Sequence, residues 1–517
     1  MDTENLDQLS LPDLFSRISR VIVCDKNEDQ TTSSQQMQEE VDRLCGGLEK
    51  WGIKPGDRIA VWLPNGVPYL ELLWAAARLG IVVVSVNTRF RSTEVEDIVG
   101  RSGARLLVVD PSFLGIDFSG ILSRIEPTKL GIEAVVSLGG PIEGPWPIVH
   151  WDDLLGGNPS DVDRANPSLP WIVFTTSGTT SAPKLVLHLQ RSPAEHARDL
   201  KRWFGQSVLA AVPLCGVFGY TMLLGAMGAG SELVTMPVFD APLASLAIER
   251  YGVTTFHGSD EMLLRIVESG RDLSSLNAVG YARFDNALEG VVEAAARVGV
   301  KAIGLYGMSE VHAIYSHRDE DDDDRSAVPG GTLVSSRAEA RVIDPSTGNN
   351  VSEGAEGELL LKGPSLFAGY LADGGTEIDT ALTDAHFVDG WFRTGDLARL
   401  ENSQTFEYLA RLGDVLRLGG FLVNPAEIED CILQDPNVEA VQVVGVDLAG
   451  GTKPVAFVIS EKPINEDELR MKCRSALAAY KVPVRILELD EFPVTPSANG
   501  SKIQKVRLRE LAMEQVE

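Results

Sequence analysis

Between Asp57 and Asp110 the chain alternates two textures. "DRIAVWLPN", "IVVVSVN" and "ARLLVVD" are short apolar runs with the β-branched content of buried strands. "VPYLELLWAAARLG" and "STEVEDIVGRSG", which lie between them, have helical spacing and end in glycine. Just upstream, "SSQQMQEEVDRLCGGLEKWG" sets Val41, Leu44, Leu48 and Trp51 on one helical face, and Gly52 stops it. Strands with continuous apolar runs, each followed by a helix, pair in parallel and carry helices on both faces. This predicts an α/β fold with parallel β/α layers. No internal repeat interrupts it, and "LGGPIEGPWP" (Leu138–Pro147) reads as a turn-rich connection.

At 517 residues the chain exceeds what one core supports, so two or three domains are expected. The texture changes near the end. "EAVQVVGVDL" and "KPVAFVIS" read as adjacent strands, "NEDELRMKCRSALAAY" as a helix and "RILELDEF" as another strand. That pattern predicts a small α+β domain after a larger multi-sheet one. The junction falls in "RLGDVLRLGG" (Arg411–Gly420), giving domains 1–411 and 412–517. Directly after it, "NPAEIEDCIL" opens a helix with Asn424 as cap, Pro425 first and Glu427 closing a capping box.

A net charge of −28 disfavours binding to nucleic acid or anionic membranes. It also means that an anionic substrate needs placed Lys and Arg, alone or with a divalent ion. No apolar stretch reaches the roughly 18 residues a membrane span needs. The opening "MDTENLDQLS" is acidic and polar, unlike a secretory signal, and "AMEQVE" is neither a peroxisomal address nor a prenylation box. Five scattered cysteines with no CxxC spacing favour a reducing cytoplasm. The acidic run "DEDDDD" (Asp319–Asp324) lacks EF-hand spacing and reads as a solvated loop.

The buried-strand run "WIVF" (Trp171–Phe174) leads directly into "FTTSGTTSAPK" (Phe174–Lys184), a glycine-bearing turn rich in hydroxyls and ending in a lysine. Backbone N–H groups, hydroxyls and one ammonium suit phosphate oxygens, although the Walker A spacing is absent. Taken alone it is equally well a polar turn. "LYGMSE" (Leu305–Glu310), "GWFRTGDLARL" (Gly390–Leu400), "RLGDVLRLGGFLVNPAEIE" (Arg411–Glu429) and "PVTPSANGSKIQKVRLRE" (Pro493–Glu510) follow in order.

These five stretches together resemble the motifs of the adenylate-forming (ANL) superfamily, in its acyl-CoA synthetase branch of AMP-dependent CoA ligases. The resemblance spans nearly the whole chain. It implies a large N-terminal AMP-binding domain with a small mobile α+β lid, the acyl-CoA synthetase/luciferase-like fold. It implies an acid–thiol ligase that uses ATP, Mg²⁺ and CoA: a carboxylate attacks the α-phosphorus, and a thiol then displaces AMP. By the same resemblance Thr176, Ser177, Gly178, Thr179, Thr180 and Lys184 hold the β- and γ-phosphates, and Glu310 ligates Mg²⁺. Tyr306 stacks on adenine, while Asp396 and Arg411 hold the ribose. Lys502 reaches the α-phosphate and carboxylate, so Lys502, Glu310, Thr179 and Lys184 form the catalytic set. The lid turns about Gly413, after which Arg417, Gly419 and Gly420 serve the thiol step. Each residue alone has an ordinary reading as core aromatic, cap or surface lysine; it is the ordered set that points to chemistry.

The sequence departs from the family pattern at Ser181 and Leu185, where glycine is usual, at Ser309, at Ala410 and at Gly413. "GYARFDN" (Gly280–Asn286) stands where a small adenine-contacting segment is expected. The acyl pocket is expected between Val212–Gly230, Thr254–Ile266 and Tyr306–Met308, with Phe218, Tyr220, Phe256, His257, Gly307 and Met308 lining it. His257 is equally well a satisfied core histidine. Amino-acid-activating members of the family the chain resembles place an aspartate near the first of these stretches to pair the substrate ammonium; none stands there, so the resemblance favours an apolar acid, fatty or aryl. A ligase loading a carrier protein, a luciferase-like oxygenase and a catalytically silent adenylate-binding homologue stay open. The partners implied are the acid, ATP and CoA, with no nucleic acid and no transmembrane segment; a homodimer is left open.

Overall fold

The alternation of apolar runs and helical stretches becomes a parallel sheet in the computed structural model of the chain, which describes residues 9–176, 183–276, 278–282, 290–319, 325–413, 415–418, 421–448, 451–477, 479–497 and 500–516. Arg58–Trp62 lies at its centre, with Val82–Ser85 and Leu106–Val109 paired parallel on its two sides. The order continues through Pro170–Thr175, Leu185–Leu189 and Gly369–Tyr370 on one side, and through Ala134–Ser137 and Ile148–His150 on the other. The pairings of Leu185–Leu189 with its two neighbours are antiparallel. Every residue of Val82–Ser85, Leu106–Val109 and Ala134–Ser137 is buried, which is why these strands are apolar up to the serines that close the first and last.

The helices follow their sequence signals. Ser34–Lys50 starts at a capping box between Ser33 and Gln36 and buries Met37, Val41, Leu44, Cys45 and Leu48. Val67–Leu79 ends at Gly80, whose φ of 70° is the left-handed conformation that closes a helix.

A second parallel run joins Lys301–Tyr306, Ala278–Ala282, Thr255–Ser259, Ser207–Ala210, Glu232–Thr235 and Arg20–Val23 in that order. Antiparallel strands flank the run: Gln30–Ser33 on one side, Ser316–His317 and then Gly330–Leu333 on the other. In open parallel sheets, ligands gather beyond the carboxyl ends of the strands. The "FTTSGTTSAPK" loop leaves the end of Pro170–Thr175, and the "LYGMSE" motif closes Lys301–Tyr306.

All of these strands belong to one unit, made of the described residues as far as Ala282 with those of Gly290–Glu339 and Lys362–Phe392. The other unit takes Ala340–Leu361 and the described residues from Arg393 onward. In it residues 396–402 of the strand Trp391–Asn402 pair antiparallel with Thr405–Arg411. Further on, Val438–Leu448 and Gly451–Ser460 form a long hairpin, joined in parallel by Arg485–Glu488. Pro425–Leu433 and Glu466–Ala476 contribute Ile428, Ile432, Leu469 and Cys473 to the core against that sheet. Asn424 caps the first of these helices, its side chain accepting from Ala426 N–H; Glu427 instead bonds Lys481, so no capping box forms. No described helix is long and apolar enough to cross a membrane.

The first unit buries His188, His196, His257, His312 and His317. Burial holds His188 and His317 at about 4, His196 and His257 at about 3, and His312 well below the ordinary imidazole value. All five are therefore neutral in the folded protein. Below about pH 6.5 the unfolded chain binds protons that the folded one refuses, so stability is complete above that value and lost as the pH falls. The thermal-unfolding midpoint should drop steadily from about pH 7 to about pH 5, with up to about 1.4 kcal/mol lost per histidine per pH unit below 6.5. A midpoint that stayed level across that range would show that these imidazoles are not buried neutral.

Candidate active site

Tyr306 ends its strand, and Gly307 and Met308 lead into a 3-10 turn, Ser309–Val311, that carries Glu310. The chain then doubles back so tightly that a Cβ on Gly307 would stand 1.5 Å from the carbonyl oxygen of Ala313. His312 and Ala313 take positive φ values of 59° and 61°, an uncommon conformation for residues with a side chain. The segment is held from four directions. His188 Nε2–H donates to Ser309 O at 2.8 Å, and Phe367 N–H donates to Glu310 O at 2.8 Å. Thr221 Oγ1–H donates to His312 O at 2.6 Å, and Tyr370 OH donates to Glu310 Oε1 at 2.9 Å.

Behind the turn lies a buried polar chain. His188 Nε2 faces a carbonyl and must carry hydrogen, so its Nδ1 accepts from Ser192 Oγ–H at 3.0 Å. Ser192 Oγ in turn accepts from His312 Nε2–H at 2.9 Å, and the two imidazoles stack at 3.8 Å.

Lys184 comes to the same place from the other sheet. Thr176 N–H donates to Lys184 O at 3.1 Å and Lys184 N–H donates to Thr176 Oγ1 at 3.3 Å, which ties the two ends of the loop together. Its ammonium lies 4.7 Å from the centre of the Tyr370 ring and 2.8 Å from His386 Nε2. One aromatic side chain thus meets Lys184 with its face and Glu310 with its hydroxyl. Leu185, where glycine is usual in the family, is fully buried and pairs with Thr175, so a strand conformation replaces the turn glycine there. Ser177, Gly178, Thr179, Thr180, Ser181 and Ala182 lie outside the described residues, as do residues 283–289 and 320–324.

The expected pocket residues do not form one cluster among the described residues. Phe218 and Tyr220 belong to the main apolar core of the unit, where Trp171 Nε1–H donates to Tyr220 OH at 2.8 Å. Met308 packs instead beside Val186, Phe367, Tyr370 and Phe392. Phe256 is buried in its strand, and His257 Nδ1 lies 2.9 Å from the N–H of Gly280 on the next strand.

In the second unit Asp396 and Arg411 stand opposite each other on paired strands, and Arg411 Nη1–H donates to Asp396 Oδ1 at 2.7 Å. The carboxylate side chain is 3% exposed and the guanidinium 52%, so the pair presents a buried acceptor and an accessible donor. Gly413, two residues on, is exposed, and a Cβ there would meet nothing within 4 Å. Arg417 sits on Leu416–Leu418 opposite Leu422, and Lys502 on Gly500–Ile503 opposite Thr495; their side chains lie outside the described structure. Gly419 and Gly420 lie outside it entirely.

Tyr370, His386 and the His188–Ser192–His312 chain carry no periodic or motif signal; only through-space neighbours reveal them. Tyr370→Phe should destabilise the protein by about 1–3 kcal/mol, because a buried carboxylate would lose a donor. The same change in a Glu310→Leu background should cost much less. Equal losses in both backgrounds would mean that the hydroxyl does not serve Glu310.

The chain matches the family model of AMP-binding enzymes over residues 16–371 and that of the AMP-binding enzyme C-terminal domain over residues 427–499. It is 30% identical over 511 residues to triostin synthetase I of Streptomyces triostinicus, covering 95% of this chain and 91% of that one. It is 30% identical over 506 residues to a Mycobacterium tuberculosis propanoyl:CoA ligase whose acyl group bears a methyl-dioxo-octahydro-indenyl ring system, covering 94% of each chain. Among solved structures it is similar to the anthranilate CoA ligase AuaEII in complex with anthranoyl-AMP, with a TM-score of 0.80 and 22% identity over 99% of both chains, a likeness of fold. With the family model matched over most of its length and relatives at 30% identity across nearly all of it, the chain belongs to the AMP-binding enzyme family, as an AMP-forming acid–thiol ligase of the acyl-CoA synthetase group.

Proposed function

We propose that this ligase activates an apolar carboxylic acid, fatty or aromatic, as its acyl-adenylate and transfers the acyl group to CoA. The observation that carries the reading is the joining of Lys184 and Glu310 through Tyr370, a cation and a carboxylate held at the carboxyl ends of parallel strands. An apolar acid is supported by the stretch Val212–Gly230, which holds no aspartate that could pair an amino-acid ammonium. The Mycobacterium relative is a CoA ligase for a ring-bearing acid, and AuaEII one for anthranilate.

In the first half-reaction a carboxylate oxygen attacks the α-phosphorus of ATP, and pyrophosphate leaves. Two anions meet, so the protein's task is positioning and charge neutralisation. Lys184 and the loop from Thr176 hold the β- and γ-phosphates, and Tyr306 stacks on adenine. Asp396 accepts from the ribose hydroxyls with Arg411 beside it, and Lys502 neutralises the α-phosphate and the attacking carboxylate. Glu310 suits Mg²⁺: it is one buried carboxylate, and among the described residues no group of three or more His, Cys, Asp or Glu could cage a metal. Mg²⁺ in nucleotide sites binds through one or two carboxylates with phosphates and water, and when bound it would neutralise phosphate charge.

In the second half-reaction a thiol sulfur attacks the acyl carbonyl carbon, and AMP leaves. We assign that thiol to CoA rather than to the chain. All five cysteines are buried, and burial pushes Cys24 and Cys45 up to about 12. Free buried thiols also support a cytoplasmic placement. A lid bearing Lys502 and turning at Gly413 would let Arg417, Gly419 and Gly420 meet the pantetheine arm, with 1–411 and 412–517 as the two moving domains.

The test is purified protein with ATP, Mg²⁺ and a panel of fatty and aryl acids, with and without CoA, following pyrophosphate, AMP and thioester. Pyrophosphate release without thioester would assign a carrier-protein acceptor instead, and no turnover with any acid would leave a silent adenylate binder. Lys502→Ala should abolish adenylation, roughly 100-fold or more, while thioester formation from supplied acyl-adenylate largely survives. Equal loss in both steps would refute the assignment of Lys502 to the first.

A further inference from the structure

His386 stands immediately before the strand Phe387–Val388 and two residues after the short helix Thr380–Asp384. Its ring is held on both sides. Nδ1 lies 2.9 Å from Leu382 O, which can only accept, so Nδ1 carries the hydrogen. Nε2 lies 2.8 Å from the Lys184 ammonium, which can only donate, so Nε2 offers its lone pair. The two partners thus select one neutral tautomer. The ring also meets Tyr370 edge-on at 5.2 Å, and the segment is locked behind it: Tyr370 N–H donates to Thr383 Oγ1 at 3.0 Å and His386 N–H to Thr383 O at 2.9 Å. Phe387, the next residue, stacks on Phe367 at 5.9 Å.

We infer that His386 is a positioning residue for ATP: its neutral imidazole accepts from Lys184 and, with the face of Tyr370, fixes the direction of that ammonium for the β- and γ-phosphates. The inference rests on the reading of Lys184 as a phosphate-holding residue. A lysine side chain has four rotatable bonds, and ordering it against an incoming anion costs conformational freedom. An acceptor from a locked segment and an aromatic face, both in place before ATP arrives, remove part of that cost. A hydrogen bond to a carbonyl or imidazole also leaves the ammonium its full charge, where a carboxylate in the same position would cancel the attraction for phosphate.

The experiment is calorimetric titration of the full-length protein with Mg·ATP and, separately, with AMP, which lacks the β- and γ-phosphates. His386→Ala should weaken Mg·ATP about tenfold, the lower end of what a hydrogen bond to a charged group contributes, and leave AMP affinity within about twofold. The unchanged AMP affinity also reports that the variant is folded. His386→Gln, whose side-chain oxygen can accept from the ammonium, should recover most of the loss. Lys184→Met should weaken Mg·ATP at least as much, and Lys184→Met/His386→Ala should match Lys184→Met alone. If Lys184→Met weakens ATP but His386→Ala does not, the role of His386 is refuted while that of Lys184 stands. Parallel loss of ATP and AMP affinity in His386→Ala would assign it a purely structural role, and additive losses in the double variant would show that the two act separately. An unchanged ATP affinity in Lys184→Met would overturn both readings.

Discussion

Glu310 is almost wholly buried in a chain that already carries a net charge of −28, and a carboxylate in that situation must be held by a donor. The donor is the hydroxyl of Tyr370, which reaches it from the edge strand of the other sheet of the same unit. Because the face of that ring also receives the Lys184 ammonium, one phenol fixes a cation and an anion that the sequence places 126 residues apart, between positions 184 and 310. Around that link stand the His188–Ser192–His312 chain behind the turn, Phe367 N–H on its backbone, and His386 against the lysine.

The polar chain behind the turn has a cost that the site sets against its precision. Its two imidazoles, and that of His196 stacked on His312, are kept neutral by burial, and Nε2 of His196 and Nδ1 of His312 lack a hydrogen-bond partner. A neutral imidazole with one bare lone pair is a modest penalty, whereas a buried imidazolium would be a large one. The arrangement trades acid tolerance for a rigidly placed Tyr306–Glu310 segment, whose positive-φ residues His312 and Ala313 need such support.

The second unit solves a similar problem with a smaller device. Asp396 and Arg411 are cross-strand neighbours, so the backbone ladder itself sets their distance. The buried carboxylate is preorganised as an acceptor, and the half-exposed guanidinium offsets its charge.

Much of this was legible in the chain before folding. Apolar continuity marked the parallel strands, because a strand covered on both faces has no polar side to show. Caps and terminal glycines marked the helices. One local signal misled: the capping box written by Asn424 and Glu427 does not form, because Lys481, remote in sequence, takes the glutamate. The expected pocket residues were chosen from apolar stretches, and apolarity cannot distinguish a lining from a core; Tyr220 proves to be bonded to Trp171 inside the main cluster. Spacing along the chain is enough to set the layered α/β architecture and the ordered set of motifs. It cannot name the side chains around Lys184 and Glu310, because Tyr370 and His386 reach those two, and His188 the carbonyl of Ser309 beside Glu310, through hydrogen bonds and ring contacts between segments with no periodic relation to one another.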